Sequence, residues 1–191
     1  MKEEQGGSIT ALNIGLVETE PTIRKALAIG ADKAIRINAE PKDSFFVAYQ
    51  ISQVVKGEDY DLILMGRESI DFNGGQVHGM VGELLNIPSV SPVMRLDVKG
   101  KIAKLSREIE GGKEFLEVEL PLVAGCQEPI AEWKIPNMRG IMQARQKPLD
   151  VIDAVDSEKK TKTHKFYKPE EKKEIKMLIG DKKTTCRAVS Y

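Results

Sequence analysis

Residues 61–87, DLILMGRESIDFNGGQVHGMVGELLNI, decide the fold. An apolar run of strand length ends at Gly66, a polar segment containing Gly74 and Gly75 follows, and apolar residues return at helical spacing from Val77. The pattern predicts a buried strand, a glycine-rich loop and a helix in immediate succession. Free amides at the start of such a helix, together with its dipole, favour an anion in the loop.

The same grammar repeats toward the N-terminus. SITALNIG (8–15) predicts a strand, and EPTIRKALAIG predicts a helix with Pro21 in its first turn, Ile23, Ala26, Leu27 and Ala28 on its apolar side, and Gly30 at its end. KAIRIN (33–38) predicts a second strand, and SFFVAYQISQVVKGEDY a second helix whose apolar face carries Phe45, Val47, Ala48, Ile51 and Val54 or Val55. Strands alternating with helices at this spacing imply an α/β fold, a Rossmann-like parallel sheet with helices on both faces. Ligands of such sheets bind beyond the C-terminal ends of the strands, which is where 66–76 lies.

Downstream the pattern changes. Residues 92–126 predict an antiparallel β meander, with Lys99–Gly100 and Gly111–Gly112 at turns and Leu116, Val118 and Leu120 alternating with Glu117 and Glu119. A loop, a short helix from about Met138 to Arg145 and a proline-terminated exit follow. Residues 1–152 are thus expected to form one domain, with a docking segment at about 128–146. Residues 153–191 form an extended basic tail, to which little fixed structure is assigned. The opening MKEEQGG has the character of a helix end, so a preceding β-α unit is expected to be absent.

Charge divides along the same line. Residues 1–156 carry 18 Lys and Arg against 24 Asp and Glu, whereas 157–191 carry 11 against 5. A basic tail on an acidic body is most often simply solvated; otherwise it suits lying over its own domain or binding an acidic protein partner. It lacks the aromatic interleaving of a nucleic-acid surface, so no nucleic acid is expected. No window is apolar for long enough to span a bilayer, and a cytoplasmic protein is expected, or a mitochondrial matrix protein in a eukaryote. Cys126 and Cys186 cannot make a disulfide framework, and His78 and His164 leave no metal-ligand cluster.

Within the loop, Gly66, Gly74 and Gly75 permit close backbone approach, Ser69 and Gln76 add hydrogen-bonding groups, and Asp71 is placed either to bond a ribose hydroxyl or to cap the helix. The pattern is neither a P-loop nor G-x-G-x-x-G, and a connecting loop capped by Asn73 or Asp71 accounts for the spacing equally well. Arg107, Glu108, Glu110, Glu114, Glu117 and Glu119 offer paired carboxylates for acid–base work, but a charged, solvated hairpin is favoured. His78 has no orienting partner in the sequence and is a poor catalytic candidate. Trp133 and Met138 to Met142 form an apolar stretch that suits either partner docking or packing on the body.

Taken together, ALAIGADKAIRI, the stretch DLILMGRESIDFNGGQVHGMVGELLNIPSV, the pattern Arg107-x-x-Glu110-Gly111-Gly112-x-Glu114-x-Leu116 with Pro121, and PNMRGIMQARQKPLDVI resemble the β subunit of electron transfer flavoprotein over about residues 9–152. The resemblance implies an electron carrier rather than an enzyme. Such a subunit pairs with an α subunit that holds a redox-active FAD, and itself buries AMP, or a second FAD in bifurcating forms. It implies a nucleotide site made of Gly66, Arg67, Glu68, Ser69, Ile70, Asp71, Gly74, Gly75, Gln76 and Val77, walled by Asn13, Ile14 and Gly15. It further implies docking of acyl-CoA or other flavin dehydrogenases through 128–139. The family's first strand and following loop find no counterpart here, and Val77 stands where a hydroxyl residue is common. The alternative is a stand-alone ATP/AMP-binding module of the universal stress type, whose phosphate loop needs a glycine pattern that 66–79 does not reproduce. A hydrolase built on the Glu-rich hairpin ranks last, for want of a nucleophile–base pair.

Overall fold

The computed structural model describes residues 2–132 and 134–169, so Trp133, Cys186 and the end of the basic tail lie outside the described residues. In chain order the elements are α1 (Lys2–Gln5), β1 (Thr10–Ile14), α2 (Glu20–Ile29), β2 (Lys33–Asn38), α3 (Ser44–Val55), β3 (Leu62–Gly66) and α4 (Val77–Leu85). Then follow β4 (Ser89–Lys99), β5 (Ile102–Ile109), β6 (Gly112–Glu119), β7 (Leu122–Cys126), α5 (Met138–Ala144) and β8 (Leu149–Asp153). The strands form two sheets, β1-β2-β8 and β3-β7-β4-β5-β6. The first is all parallel. The second is parallel across β3, β7 and β4 and antiparallel across β4, β5 and β6.

Alternation along β2 puts helices on both faces. Ala34 packs with Ile23 and Leu27 of α2, whereas Ile35 faces the cavity that Val47 and Ile51 of α3 also line. A third cluster joins Ala48 of α3, Val81 of α4 and Val123 of β7. The parallel α/β architecture expected from the strand–helix alternation is therefore present.

Three details depart from the sequence expectation. The antiparallel meander ends at Glu119. Leu122, Val123 and Ala124 enter between β3 and β4 as a central parallel strand, all fully buried. An uninterrupted apolar run is what a strand covered on both faces requires. Second, β8 escaped the sequence pattern because Asp150 and Asp153 break its apolar run; it pairs in parallel with β2 at the edge of its sheet. Third, α3 buries Phe46, Ala48, Gln50 and Ser52, while Val47, Ile51 and Val54 are only half-buried.

The start of the tail is held to the body. Gln50, 1% exposed, accepts from Val155 N at 2.8 Å and donates to Val155 O at 2.7 Å. Asp43 caps α3 through Phe46 N at 2.7 Å and also accepts from the amides of Lys160 and Thr161, each at 3.0 Å. We expect Gln50→Ala to cost about 1–3 kcal/mol, because two part-buried bonds to the Val155 backbone are lost along with a buried side chain. Denaturant unfolding measures the loss, and hydrogen exchange should show residues 154–156 opening first.

The Asp43 carboxyl is raised by burial, but the amide bonds from Phe46, Thr161 and Lys160 outweigh that and leave it below the usual carboxylate range. A depressed folded-state value stabilises above the unfolded value near ~3.9 and is lost as pH falls through the folded one. Protection of the Lys160 and Thr161 amides should therefore hold from neutral pH down to about pH 4 and collapse below it. Hydrogen exchange corrected for intrinsic rates checks this.

Candidate functional site

β1 and β3 both line one cavity, together with Val47, Ile51 and Val54 of α3. Asn13, Ile14 and Gly66 line one cavity of about 480 Å³ between the two strands. The loop leaving β3 rises beside it. Arg67 N donates to Cys126 O at 3.0 Å, which continues the β3–β7 ladder by one residue. The loop then folds back on itself through Asn73 N to Ser69 O at 2.8 Å. Asn73 and Gly75 both take positive φ, +48° and +56°, the sharp reversal that a glycine permits most cheaply.

Gly74 and Gly75 have neighbours at ordinary contact distance. A Cβ on Gly74 would lie 3.8 Å from Ser44 Oγ, and one on Gly75 would lie 3.8 Å from the Arg67 carbonyl. Gln76 occupies the cap position of α4 and makes no capping bond with its side chain. Neither Asp71 nor Asn73 takes that position, so the connecting-loop explanation loses its cap. The Val77 side chain packs against the core cluster that contains Val81. Ile70 and Phe72 stand 94% and 77% exposed at the loop tip, with Asp71 exposed between them.

Two of the residues expected in the site also make contacts within the chain. A Cβ on Gly15 would lie 2.5 Å from Thr19 Cγ2 and 2.9 Å from Asn13 Oδ1, so a larger residue there would have to displace those side chains. Glu68 pairs with Arg67. Arg67 also donates to Gln127 Oε1 at 2.7 Å, and Gln127 donates to Glu108 Oε2 at 2.6 Å. This chain of bonds ties the glycine loop to the β5–β6 hairpin. The neighbouring Glu68, and more distantly Glu108, hold the guanidinium above its ordinary range. Burial lowers His78, partly offset by its bond to the Arg67 carbonyl, which favours a neutral imidazole at pH 7.

Arg36 is a site neighbour that the sequence did not reveal, because an arginine within KAIRIN suggests a wet-face residue. It is buried, donates to the Gly15 carbonyl at 3.0 Å and to Asn38 Oδ1 at 2.8 Å, and pairs with Glu20 at 3.3 Å. It fixes the backbone just past Asn13 and Ile14. Ser44 and Gln127 were likewise silent in sequence, since long-range contacts alone bring them to the loop. On the hairpin, Lys104 pairs with Glu117 and Arg107 with Glu114, each at 2.5 Å. These carboxylates are engaged across the strands, as the charged-hairpin expectation holds.

The 128–146 segment presents Ile135, Met138 and Met142 to solvent, while Ala144 anchors α5 against α2. Among the described residues, no helix is long and apolar enough to cross a membrane.

Comparison with known proteins agrees with this architecture. Residues 1–157 match the electron transfer flavoprotein domain. The chain is 38% identical to the electron transfer flavoprotein subunit beta of Bacillus subtilis over 192 residues, covering 95% of this chain and 75% of that protein. It is 34% identical to the subunit of the same name from Syntrophomonas wolfei, covering 84% and 64%, and 30% identical to the human one, covering 78% and 60%. It thus spans less than two thirds of the latter two relatives. The chain belongs to the electron transfer flavoprotein domain family.

Proposed function

We propose that this chain acts as the β subunit of a heterodimeric electron transfer flavoprotein. In that role it carries electrons from dehydrogenases to an acceptor together with an α subunit, and binds AMP, or a second FAD, on the 66–77 loop. The observation that carries the reading is the junction of β3 and α4. Two glycines, one at positive φ, meet a first helical turn that carries no side-chain cap, beside a cavity that Asn13, Ile14 and Gly66 help to line. Backbone amides near Gly74 to Val77 suit a phosphate, and the Asn13–Ile14 end of β1 suits a wall for the rest of the nucleotide.

FAD, when bound with the α subunit, supplies the redox chemistry. The residues of this chain bind and orient. Arg67, held by Glu68 and Gln127, suits neutralising part of a phosphate's charge. The exposed Ile70 and Phe72 suit a lid that closes over a bound nucleotide or packs against the α subunit. The segment 128–139, with Ile135 and Met138 exposed, suits dehydrogenase docking. The α subunit and flavin dehydrogenases are thus the partners, in the cytoplasm of a bacterium or the matrix of a mitochondrion.

Acid release of nucleotide from the purified chain, followed by chromatography, tests the binding role. Stoichiometric AMP or FAD is the expected result. A nucleotide-free chain that binds neither in calorimetry contradicts it.

A further inference from the structure

Arg67 leaves β3 held by both its backbone and its side chain. Its N–H donates to Cys126 O at 3.0 Å. On the guanidinium, Glu68 Oε1 accepts from Nε at 3.2 Å and also from Nη2, and Gln127 Oε1 accepts from Nη1 at 2.7 Å. A guanidinium carries five N–H groups, so two remain, one on each terminal nitrogen. Such a pair is the fork that takes two oxygens of one phosphate.

The direction of the Gln127 amide is fixed from both sides. A guanidinium only donates, so it demands the amide oxygen, whereas an ionised carboxylate only accepts and demands the amide nitrogen. Gln127 meets both, with Oε1 on Arg67 and Nε2 donating to Glu108 Oε2 at 2.6 Å. Its backbone is seated on the core, where its N–H donates to the carbonyl of the fully buried Val93 at 2.9 Å. Alternation along β5 turns Arg107 to the other face, where it pairs with Glu114, and leaves Glu108 for Gln127.

We propose that Gln127 and Glu108 are positioning residues for the anion site. Glu108 sets the Gln127 amide, and the amide aims the remaining fork of Arg67 at a phosphate on the 66–77 loop. The inference rests on the reading of that loop as the nucleotide site, and it assigns part of the site to two residues outside the loop. One consequence separates it from plain electrostatics. Removing a carboxylate near an anion site ordinarily tightens anion binding by relieving repulsion. Here, loss of Glu108 frees the amide to turn its nitrogen toward the guanidinium, and binding weakens.

Calorimetry of AMP binding to the full chain, with FAD as the second probe, tests this. Arg67→Ala should weaken AMP at least tenfold. Gln127→Leu should weaken it about three- to fivefold and Glu108→Ala about twofold. Each melt should stay within about 2 °C of the parent. In the Arg67→Ala background neither second change should alter the affinity further, because the group they aim is gone. Unchanged affinity in Arg67→Ala overturns the proposal. So do unchanged or tighter binding in Glu108→Ala, and equal losses from Gln127→Leu with and without Arg67. These outcomes leave the nucleotide on the loop, whereas a parent chain that binds neither AMP nor FAD overturns the nucleotide reading and this inference together.

Discussion

Replacing Gly75 by Val together with Gln76 by Ala should weaken AMP binding by at least tenfold while leaving the melt of the protein nearly unchanged. Gly75 sits at φ +56°, where a β-branched residue is strained by about 1–2 kcal/mol or more. The exposed loop relieves that strain by changing conformation, which moves the Gly74–Val77 amides off a common focus. A valine side chain would also fill the space that separates Gly75 from the Arg67 carbonyl, 3.8 Å from its would-be Cβ. Loss of the Gln76 side chain removes a hydrogen-bonding group from the cap position of α4, where it makes no capping bond. Calorimetry with AMP gives the affinity, and circular dichroism the melt. Unchanged AMP affinity would remove the 66–77 loop from the binding site.

The second large effect concerns α5. Gly140→Val should lower stability by about 2–4 kcal/mol, a shift of roughly 5–15 °C in Tm, and loosen the 128–146 segment. The first atom of the new side chain would lie 2.5 Å from the Ala28 carbonyl, a backbone atom that cannot swing aside. α5 is held where it is by a dense set of bonds. Arg24 donates to the Ala144 and Lys147 carbonyls at 2.7 and 2.8 Å, and Lys147 Nζ donates to those of Leu27 and Ala31 at 2.8 and 2.6 Å. Moving α5 away from α2 breaks these contacts and exposes Ala144, now buried beside Ile23 and Leu27. The helix-propensity gain over glycine is well below 1 kcal/mol and does not offset this. A variant as stable as the parent would show that α5 is not seated on α2.

The β3–loop–α4 junction was legible because three local signals coincide there: a strand-length apolar run, glycines, and a return at helical spacing. α2 was legible for the same reason, with Pro21 at its start and Gly30 at its end. Long-range pairing was not legible. β7 was assigned to the meander on proximity, whereas its continuous burial places it between β3 and β4. Of the apolar face expected on α3, Ala48 is buried, whereas Val47, Ile51 and Val54 are half-buried and Phe46, Gln50 and Ser52 are buried instead. The half-buried three line the cavity between β1 and β3. In the site, the glycines and Gln76 were visible as a pattern. Arg36, Ser44 and Gln127 reach it only through tertiary contact.

The most direct measurement is to co-express this chain with an electron transfer flavoprotein α subunit from the same source, record the visible spectrum of the purified complex, and quantify released flavin and AMP. A stable heterodimer with one flavin and one AMP is the predicted result, and two flavins would identify the bifurcating form of the same carrier. Failure of the two chains to associate, or a complex without flavin, would contradict the assignment of this chain as a working β subunit.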